Sequence, residues 1–186
     1  MILRTKRLLL RPWEPEDAPA LYRYASDPRV GPIAGWPSHV SVEDSRRVIR
    51  EVLSVPETYA LILRGETEPV GCAGLMTAGA TNDSGSIGPN DGEVGYWIGV
   101  PYWGQGLVPE AVRELLRRGF ENLGLAKIWC VYYDGNDRSK RAAQKCGFRY
   151  HHTERQKLCP LLGQRRTEHF SCITREEWQQ DNLQKV

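Results

Sequence analysis

One stretch of the sequence decides the fold: Tyr96-Trp97-Ile98-Gly99-Val100-Pro101-Tyr102-Trp103-Gly104-Gln105-Gly106-Leu107-Val108-Pro109-Glu110-Ala111. It predicts a strand, a glycine turn and a helix that begins at Pro109, because proline suits the first helical position. Glycines at 104 and 106 allow a tight turn and a close approach to a ligand. The unpaired N–H groups at the start of the helix can hold a phosphate or pyrophosphate without a lysine. An ordinary turn is the simpler alternative, but neither a Walker loop nor a dinucleotide-binding fingerprint fits, since no Gly-Lys-Ser/Thr follows and Pro109 replaces the third glycine.

Hydrophobic periodicity and turn residues around this stretch predict a mixed α/β chain. Strands are predicted over residues 7–11, 59–63, 70–76, 93–100, 127–133, 148–156 and 166–173. Helix starts are predicted at Pro15, after Ser41, and at Pro109, Arg138 and Thr174, with loops over 31–39 and 77–91. Before the terminal helix, the resulting order is βααβββαβαββ.

Composition limits the classes of function. The 186 residues, 40% hydrophobic and 26% charged, are typical of one globular domain over residues 1–186. A net charge of +2 without blocks of like charge argues against nucleic-acid and membrane partners. The chain shows neither the apolar core of a signal peptide nor a run of ~20 apolar residues, so we expect a cytoplasmic protein.

The cysteines and histidines predict neither a disulfide framework nor a metal site. Five cysteines are an odd number and lie far apart, which fits packing residues in a reducing compartment. The spacing of the histidines and cysteines between residues 151 and 172 matches no common zinc pattern, so no metal is expected.

A second motif follows one helix and one strand later. It runs Asp134-Gly135-Asn136-Asp137-Arg138-Ser139-Lys140-Arg141-Ala142-Ala143-Gln144-Lys145-Cys146-Gly147-Phe148. Together the two motifs resemble the GNAT superfamily of N-acetyltransferases, with its Q/R-x-x-G-x-G/A turn and its N-x-x-S/A…K-x-G-F segment. The opening Thr5–Pro12, the strand Glu93–Ile98 and the closing Glu177-Trp178 resemble the branch of ribosomal-protein (Rim-type) N-terminal acetyltransferases.

The resemblance implies a mostly antiparallel GNAT-like sheet, flanked by helices, that splays between its fourth and fifth strands, here 93–100 and 127–133. Acetyl-CoA is the implied co-substrate. Its pantetheine would pair with the strand edge at Ile98 and Val100. The implied turn comprises Trp103, Gly104, Gln105, Gly106, Leu107 and Val108, with the pyrophosphate on the amides of the last four. Trp103 and Val108 depart from the family pattern, which has Arg or Gln and a small residue at these positions.

The resemblance also implies roles for residues of the second motif. Asn136 would hydrogen-bond the cofactor arm, although a capping or turn role is as common. Ser139 would lie near the thioester sulfur. Ala143 stands where many relatives have a tyrosine that protonates the leaving thiolate. In this chain that proton would come from Ser139, from water, or from Tyr132 or Tyr133.

The acceptor amine must lose a proton before it attacks. Glu93 is the candidate base, acting through water from the strand that holds the acetyl group. The alternative is a solvated charge at a strand end. Trp36 and His39, in the loop over 31–39, are predicted to wall the acceptor site, although Trp36 also fits a core role and His39 a surface one.

The favoured acceptor is the α-amine of a peptide or protein N-terminus. The alternatives are a small-molecule amine, such as a polyamine, an amino acid or an antibiotic sugar, and a non-catalytic acyl-CoA-binding module. Relatives of this kind are often monomers or homodimers.

Overall fold

The computed structural model describes residues 1–77 and 88–183. Its strands are β1 (Leu3–Arg4), β2 (Leu8–Arg11), β3 (Thr58–Leu63), β4 (Pro69–Thr77), β5 (Asp91–Ile98), β6 (Lys127–Tyr133), β7 (Arg149–Cys159) and β8 (Gln164–Thr174). The helices are α1 (Ala18–Ala25), α2 (Gly31–Ala34), α3 (Val42–Val48), α4 (Leu107–Arg117), α5 (Asp137–Lys145) and α6 (Arg175–Leu183). In that part of the chain, no helix is both long and apolar enough to cross a bilayer.

The strands form one sheet in the order β1-β2-β3-β4-β5-β6-β8-β7. All neighbouring strands are antiparallel except β5 and β6, which run parallel. A parallel pair needs a crossover connection, and α4 supplies it between these two strands. The predicted mixed, mostly antiparallel sheet is therefore confirmed.

The sheet opens between β5 and β6. Their pairing covers only the positions from Asp91 opposite Lys127 to Val94 opposite Cys130. Beyond them, β5 stays paired with β4 and β6 stays paired with β8, so each strand follows a different arm of the sheet. The predicted splay is confirmed, and we call the space between the two diverging halves the wedge.

The two faces of the sheet are covered by different helices. On one face, buried side chains of α4 pack against the strands: Leu107, Ala111, Val112, Leu115 and Leu116. Val94, Tyr96 and Ile98 of β5 point to this face, as the strand period predicts. On the other face, α1 and α3 cover a smaller cluster that includes Trp97. Four of the five cysteines are buried.

Three sequence predictions need correction. Helix α4 begins at Leu107, two residues before Pro109, because left-handed Gly106 (φ 74°) already turns the chain into the helix. Part of the predicted loop over 31–39 forms the one-turn helix α2, which ends at left-handed Gly35 (φ 98°). The strand predicted over 93–100 ends at Ile98, and Val100 begins the 3-10 turn Val100–Tyr102, so Val100 does not lie on the strand edge assigned to it. Strand β1 was missed altogether, because two residues are too short for a periodic pattern. The predicted loop over 77–91 falls largely on residues 78–87, outside the described residues.

Candidate active site

The glycine turn lies between the wedge and α4. Gly104 and Gly106 both have left-handed backbones, with φ of 76° and 74°. Residues other than glycine are strained in this left-handed backbone conformation. Within the described part of the chain, a β-carbon at Gly104 would meet no atom within 4 Å other than those of its adjacent residues, so that part leaves the space beside the turn open. The turn thus has the shape that a close backbone contact with a ligand requires.

The first turn of α4 supplies the N–H groups. Leu107 and Val108 are its first two residues, and their N–H groups have no preceding helical carbonyl to bind. Pro109, at the third position, has no N–H, and the N–H of Glu110 donates to the Gly106 carbonyl at 3.2 Å. Anion binding would therefore rest on the short run of amides before Pro109.

The N-terminal segment holds this turn in place through Glu110. One carboxylate oxygen of Glu110 accepts from Thr5 Oγ1 at 2.6 Å and from the Arg7 backbone N–H at 2.7 Å. The other accepts from Arg7 Nε at 2.6 Å. Burial opposes ionisation of Glu110, but these bonds outweigh it and lower its pKa. The carboxylate is therefore charged at neutral pH and fixes Arg7 against α4.

Arg7 also fixes one peptide plane of the turn. Its Nη1 donates to the Gln105 carbonyl at 2.9 Å. In a trans peptide the C=O and the following N–H point in opposite directions, so the Gly106 N–H is directed away from this contact. The Gln105 side chain donates to the Pro101 carbonyl at 2.9 Å, which closes the turn from the other end.

Arg7→Ala is expected to weaken CoA binding by about tenfold, because it releases the Gln105 peptide and removes a positive charge beside the turn. Isothermal titration calorimetry with CoA measures the change. Arg4→Ala is the matched control, since Arg4 is an exposed arginine on the adjoining strand β1. Equal CoA affinities for the Arg7 and Arg4 variants would contradict the role given to Arg7.

The exposed edge of β5 is partly occupied by Trp103. The Gly99 N–H donates to Val70 on β4, so strand alternation turns the backbone groups of Ile98 toward the wedge. The Ile98 carbonyl accepts from the indole Nε1 of Trp103 at 3.0 Å, and the Val100 carbonyl accepts from the backbone N–H of Trp103 at 3.2 Å. The guanidinium carbon of Arg138 lies 3.6 Å from the centre of the Trp103 ring. Trp103 thus links the edge of β5 to α5.

Asn136 caps α5 at the mouth of the wedge. Its Oδ1 accepts from the Ser139 N–H at 3.2 Å, and its Nδ2 donates to the Ile33 carbonyl at 3.4 Å. The structure therefore shows the capping role, and its predicted contact with the cofactor arm stays a prediction. The cap places Ser139 in the first turn of α5.

The Ser139 hydroxyl meets a tyrosine from the facing strand. Ser139 Oγ lies 3.0 Å from the hydroxyl of Tyr96 on β5. Of the other tyrosines considered as acids, Tyr133 is engaged elsewhere, because its hydroxyl donates to Cys159 Sγ at 3.4 Å. Burial raises the pKa of both Tyr132 and Tyr133.

Glu93 lies on the face opposite to Tyr96. It is buried, with 7% of its surface exposed, so the alternative of a solvated charge is wrong. Strand alternation puts it on the same face of β5 as Trp97, and it is in register with Trp129 of β6. Burial raises the pKa of the Cys130 thiol to about 12, and the negative charge of Glu93 contributes to the rise.

The segment from Gly31 to Trp36 crosses the wedge on this second face. A β-carbon at Gly35 would come within 2.5 Å of the Tyr133 ring on β6. The Trp36 ring lies 5.9 Å from the Trp97 ring on β5. The segment therefore touches both arms of the sheet, and the predicted role of Trp36 and His39 as a wall of the acceptor site stays a prediction.

His39 is placed next to Trp36, at 5.4 Å between ring centres. Its ring Nδ1 forms a hydrogen bond with the buried hydroxyl of Ser45 at 2.8 Å, and its backbone N–H donates to the Ala25 carbonyl. Burial lowers the pKa of His39, so the ring is neutral at pH 7. His39 thus anchors the Trp36 segment to α1 and α3.

Comparison with known proteins identifies the family. The sequence model of the acetyltransferase (GNAT) domain family matches residues 7–149. The chain belongs to the GNAT acetyltransferase family. It is therefore an acetyl-CoA-dependent acyltransferase. Among residues 1–77 and 88–183, no group of three or more His, Cys, Asp or Glu side chains is placed to hold a metal ion.

Three similar proteins cover most of this GNAT chain. The uncharacterized N-acetyltransferase p20 of Bacillus licheniformis is 32% identical over 131 residues, which are 68% of this chain and 70% of p20. The FsC-acetyl coenzyme A-N(2)-transacetylase of Aspergillus fumigatus is 29% identical over 181 residues, 95% of this chain and 77% of that protein. The crystal structure of a GNAT acetyltransferase from Bacillus anthracis superposes with a TM-score of 0.79 at 24% identity, covering 95% of this chain and 99% of that one.

Two features of this GNAT site were missed in the sequence. The Thr5–Arg7–Glu110 network joins residues about a hundred positions apart, and no local pattern predicts such a pair. Tyr96 did carry a signal, because a tyrosine between Val94 and Ile98 on a buried face needs a partner for its hydroxyl.

Proposed function

We propose that this enzyme transfers the acetyl group of acetyl-CoA to a primary amine, with the α-amine of a peptide or protein N-terminus as the favoured acceptor. The observation that carries the proposal is the wedge itself. On one face of the sheet it presents the α4 amides and Ser139, and on the other it presents the buried Glu93 and the Trp36 segment. Donor and acceptor would therefore approach from opposite faces and meet between β5 and β6.

The donor supplies an activated thioester, and the residues of the chain supply positions and protons. The amides of residues 106–108 and the positive end of α4 would hold the diphosphate. The N–H of Ile98 at the wedge would receive the negative charge that develops on the thioester oxygen.

Glu93 would accept the amine proton through a water molecule, so that the nitrogen lone pair can attack the thioester carbon. A carbon–nitrogen bond forms and the carbon–sulfur bond breaks, with its electron pair leaving on sulfur. The Ser139 hydroxyl would donate a hydrogen bond to that sulfur, and solvent would provide the final proton. A thiol is acidic enough, with a pKa of ~8.5 for cysteine, that no stronger acid is required.

The preference for an α-amine rests on the Rim-type branch resemblance and on acidity. An α-amine of pKa ~8 is about one-tenth neutral at pH 7, whereas a lysine side chain is neutral in roughly one molecule of 2,500. One carboxylate acting through water is therefore better matched to an N-terminus. The second candidate is a small-molecule amine, because an aminoglycoside acetyltransferase is among the solved structures of similar fold, with a TM-score of 0.73 at 21% identity.

A direct assay tests the proposal. The purified chain is incubated with acetyl-CoA and a panel of peptides that differ in their first residues, beside a panel of small amines that includes polyamines, amino acids and aminoglycosides. Thiol release and mass spectrometry report transfer and its position. We expect acetylation at peptide N-termini. Modification of small amines alone would replace the favoured acceptor, and no thiol release with any amine would overturn the proposal.

A further inference from the structure

Tyr96 is the side chain of β5 that reaches across the wedge to α5. Its hydroxyl oxygen lies 3.0 Å from Ser139 Oγ, 3.2 Å from the Ser139 carbonyl oxygen and 3.5 Å from Cys130 Sγ. These contacts join the last residue pair of the closed part of the sheet to the first turn of the helix that carries Ser139. The hydroxyl thus lies where β5 and β6 begin to diverge.

The protons of the Tyr96–Ser139 contact can be arranged in two ways. A phenol carries one proton, and the Ser139 carbonyl can only accept. When Tyr96 donates to that carbonyl, the Ser139 hydroxyl is available to donate to the tyrosine oxygen. When Tyr96 donates to Ser139 Oγ instead, the Ser139 proton is released to point at another acceptor. Both acceptors lie within 3.2 Å, so a small rotation of the phenol proton exchanges the two arrangements.

We propose that Tyr96 is a positioning residue that donates to Ser139 Oγ and thereby directs the Ser139 proton at the leaving sulfur. The inference rests on the proposed function and adds a residue to it. A hydroxyl that accepts a hydrogen bond becomes a better donor, because bonds in a chain polarise one another. Tyr96 transfers no proton itself.

The surroundings of Tyr96 suit this role. Burial raises its pKa well above the usual value, so it keeps its proton throughout the pH range of an enzyme assay. The neighbouring Cys130 thiol is also protonated, since burial raises its pKa to about 12. The site therefore holds a donor of constant protonation beside Ser139.

The kinetic test compares Tyr96→Phe with Ser139→Ala and the double variant. We expect Tyr96→Phe to lower kcat about tenfold, because the Ser139 hydroxyl then loses the hydrogen bond that directs its proton at the developing charge on sulfur, with the KM for acetyl-CoA within about twofold. The double variant should be no slower than Ser139→Ala, because the two groups act through one contact. Additive losses, or a change in KM alone, would overturn the proposal.

Two control variants separate this role from packing. Tyr59→Phe removes a hydroxyl from a buried tyrosine on β3, where it donates to Glu57 at 2.7 Å, and it should leave kcat within twofold. Cys130→Ala removes the third neighbour of the Tyr96 hydroxyl and should also leave kcat within about twofold. A loss in either variant as large as that of Tyr96→Phe would show that packing alone sets the rate.

A second measurement needs no turnover. Ser139→Cys places a thiol beside Tyr96, and a donor to its thiolate should speed alkylation by iodoacetamide at pH 7.5 by several-fold over the Ser139→Cys, Tyr96→Phe double variant. Peptide mass mapping reads position 139 apart from the native cysteines. Equal alkylation rates would overturn the inference. Failure of the wild-type chain to release thiol with any amine would instead count against the proposed function alone.

Discussion

Gly106→Trp is expected to weaken CoA binding by at least about 100-fold, a loss of ~2.7 kcal/mol. The left-handed backbone of Gly106 (φ 74°) makes any side chain strained there. Apart from adjacent residues, the part of the chain that the structure describes places one atom within 4 Å of a β-carbon there, Arg7 Nη2 at 3.7 Å. The indole must therefore displace Arg7 from the turn or occupy the open space beside the α4 amides, and either outcome removes part of the proposed diphosphate site.

Backbone strain needs a control of its own, and the chain offers one. Gly65, in the turn between β3 and β4, is also left-handed (φ 94°), and no non-adjacent atom of residues 1–77 and 88–183 lies within 4 Å of its β-carbon position. Gly65→Trp therefore imposes a similar strain away from the wedge and should leave CoA affinity unchanged. Calorimetric titration with CoA, together with thermal unfolding of both variants, makes the comparison. Equal affinity of wild type and Gly106→Trp would show that the diphosphate does not lie on this turn.

The sequence predicted the fold well because its signals are local. The glycine turn, the alternation of Val94, Tyr96 and Ile98, and the Asn136 cap each occupy a few neighbouring residues. The splay between β5 and β6 was implied by family resemblance, and the register confirms it by stopping at Val94 and Cys130. The start of α4 was misplaced because proline is allowed at several positions of a first helical turn, and only the backbone of Gly106 decides among them.

The site was less predictable because its contacts are between distant residues. Thr5 and Arg7 directly precede β2, and Glu110 lies on α4. They meet only because the fold packs α4 close to β2, which is a property of the whole topology. Tyr96 reaches Ser139 for the same kind of reason, across two strands that no longer pair. Glu93 is the clearest case of a burial that the sequence does not predict. Its position near a strand end suggested exposure, whereas β5 is paired with β4 on one side and β6 on the other, and the side chain is buried.

Glu93→Gln is expected to lower kcat/KM about 100-fold at pH 6–7, the range typical of losing a general base. The amide keeps the shape of the buried side chain but cannot take a proton. The loss should shrink as pH rises, because a growing fraction of the amine is then neutral without assistance. It should level off near pH 8 for an α-amine acceptor and near pH 10.4 for a lysine side chain. The pH profile of the wild-type to variant ratio therefore tests Glu93 and classifies the acceptor together.

Asp91→Asn is the matched control for this profile. Asp91 lies two residues earlier on the same face of β5, and its carboxylate accepts from Trp129 Nε1 at 3.0 Å. Removing its charge alters the local field by a similar amount without touching the proposed base, so its ratio to wild type should stay within about threefold and flat with pH. A flat profile for Glu93→Gln, parallel to that control, would reduce Glu93 to a structural charge. The amine would then have to lose its proton to solvent alone, and transfer to lysine side chains would become the slowest reaction that this wedge can support.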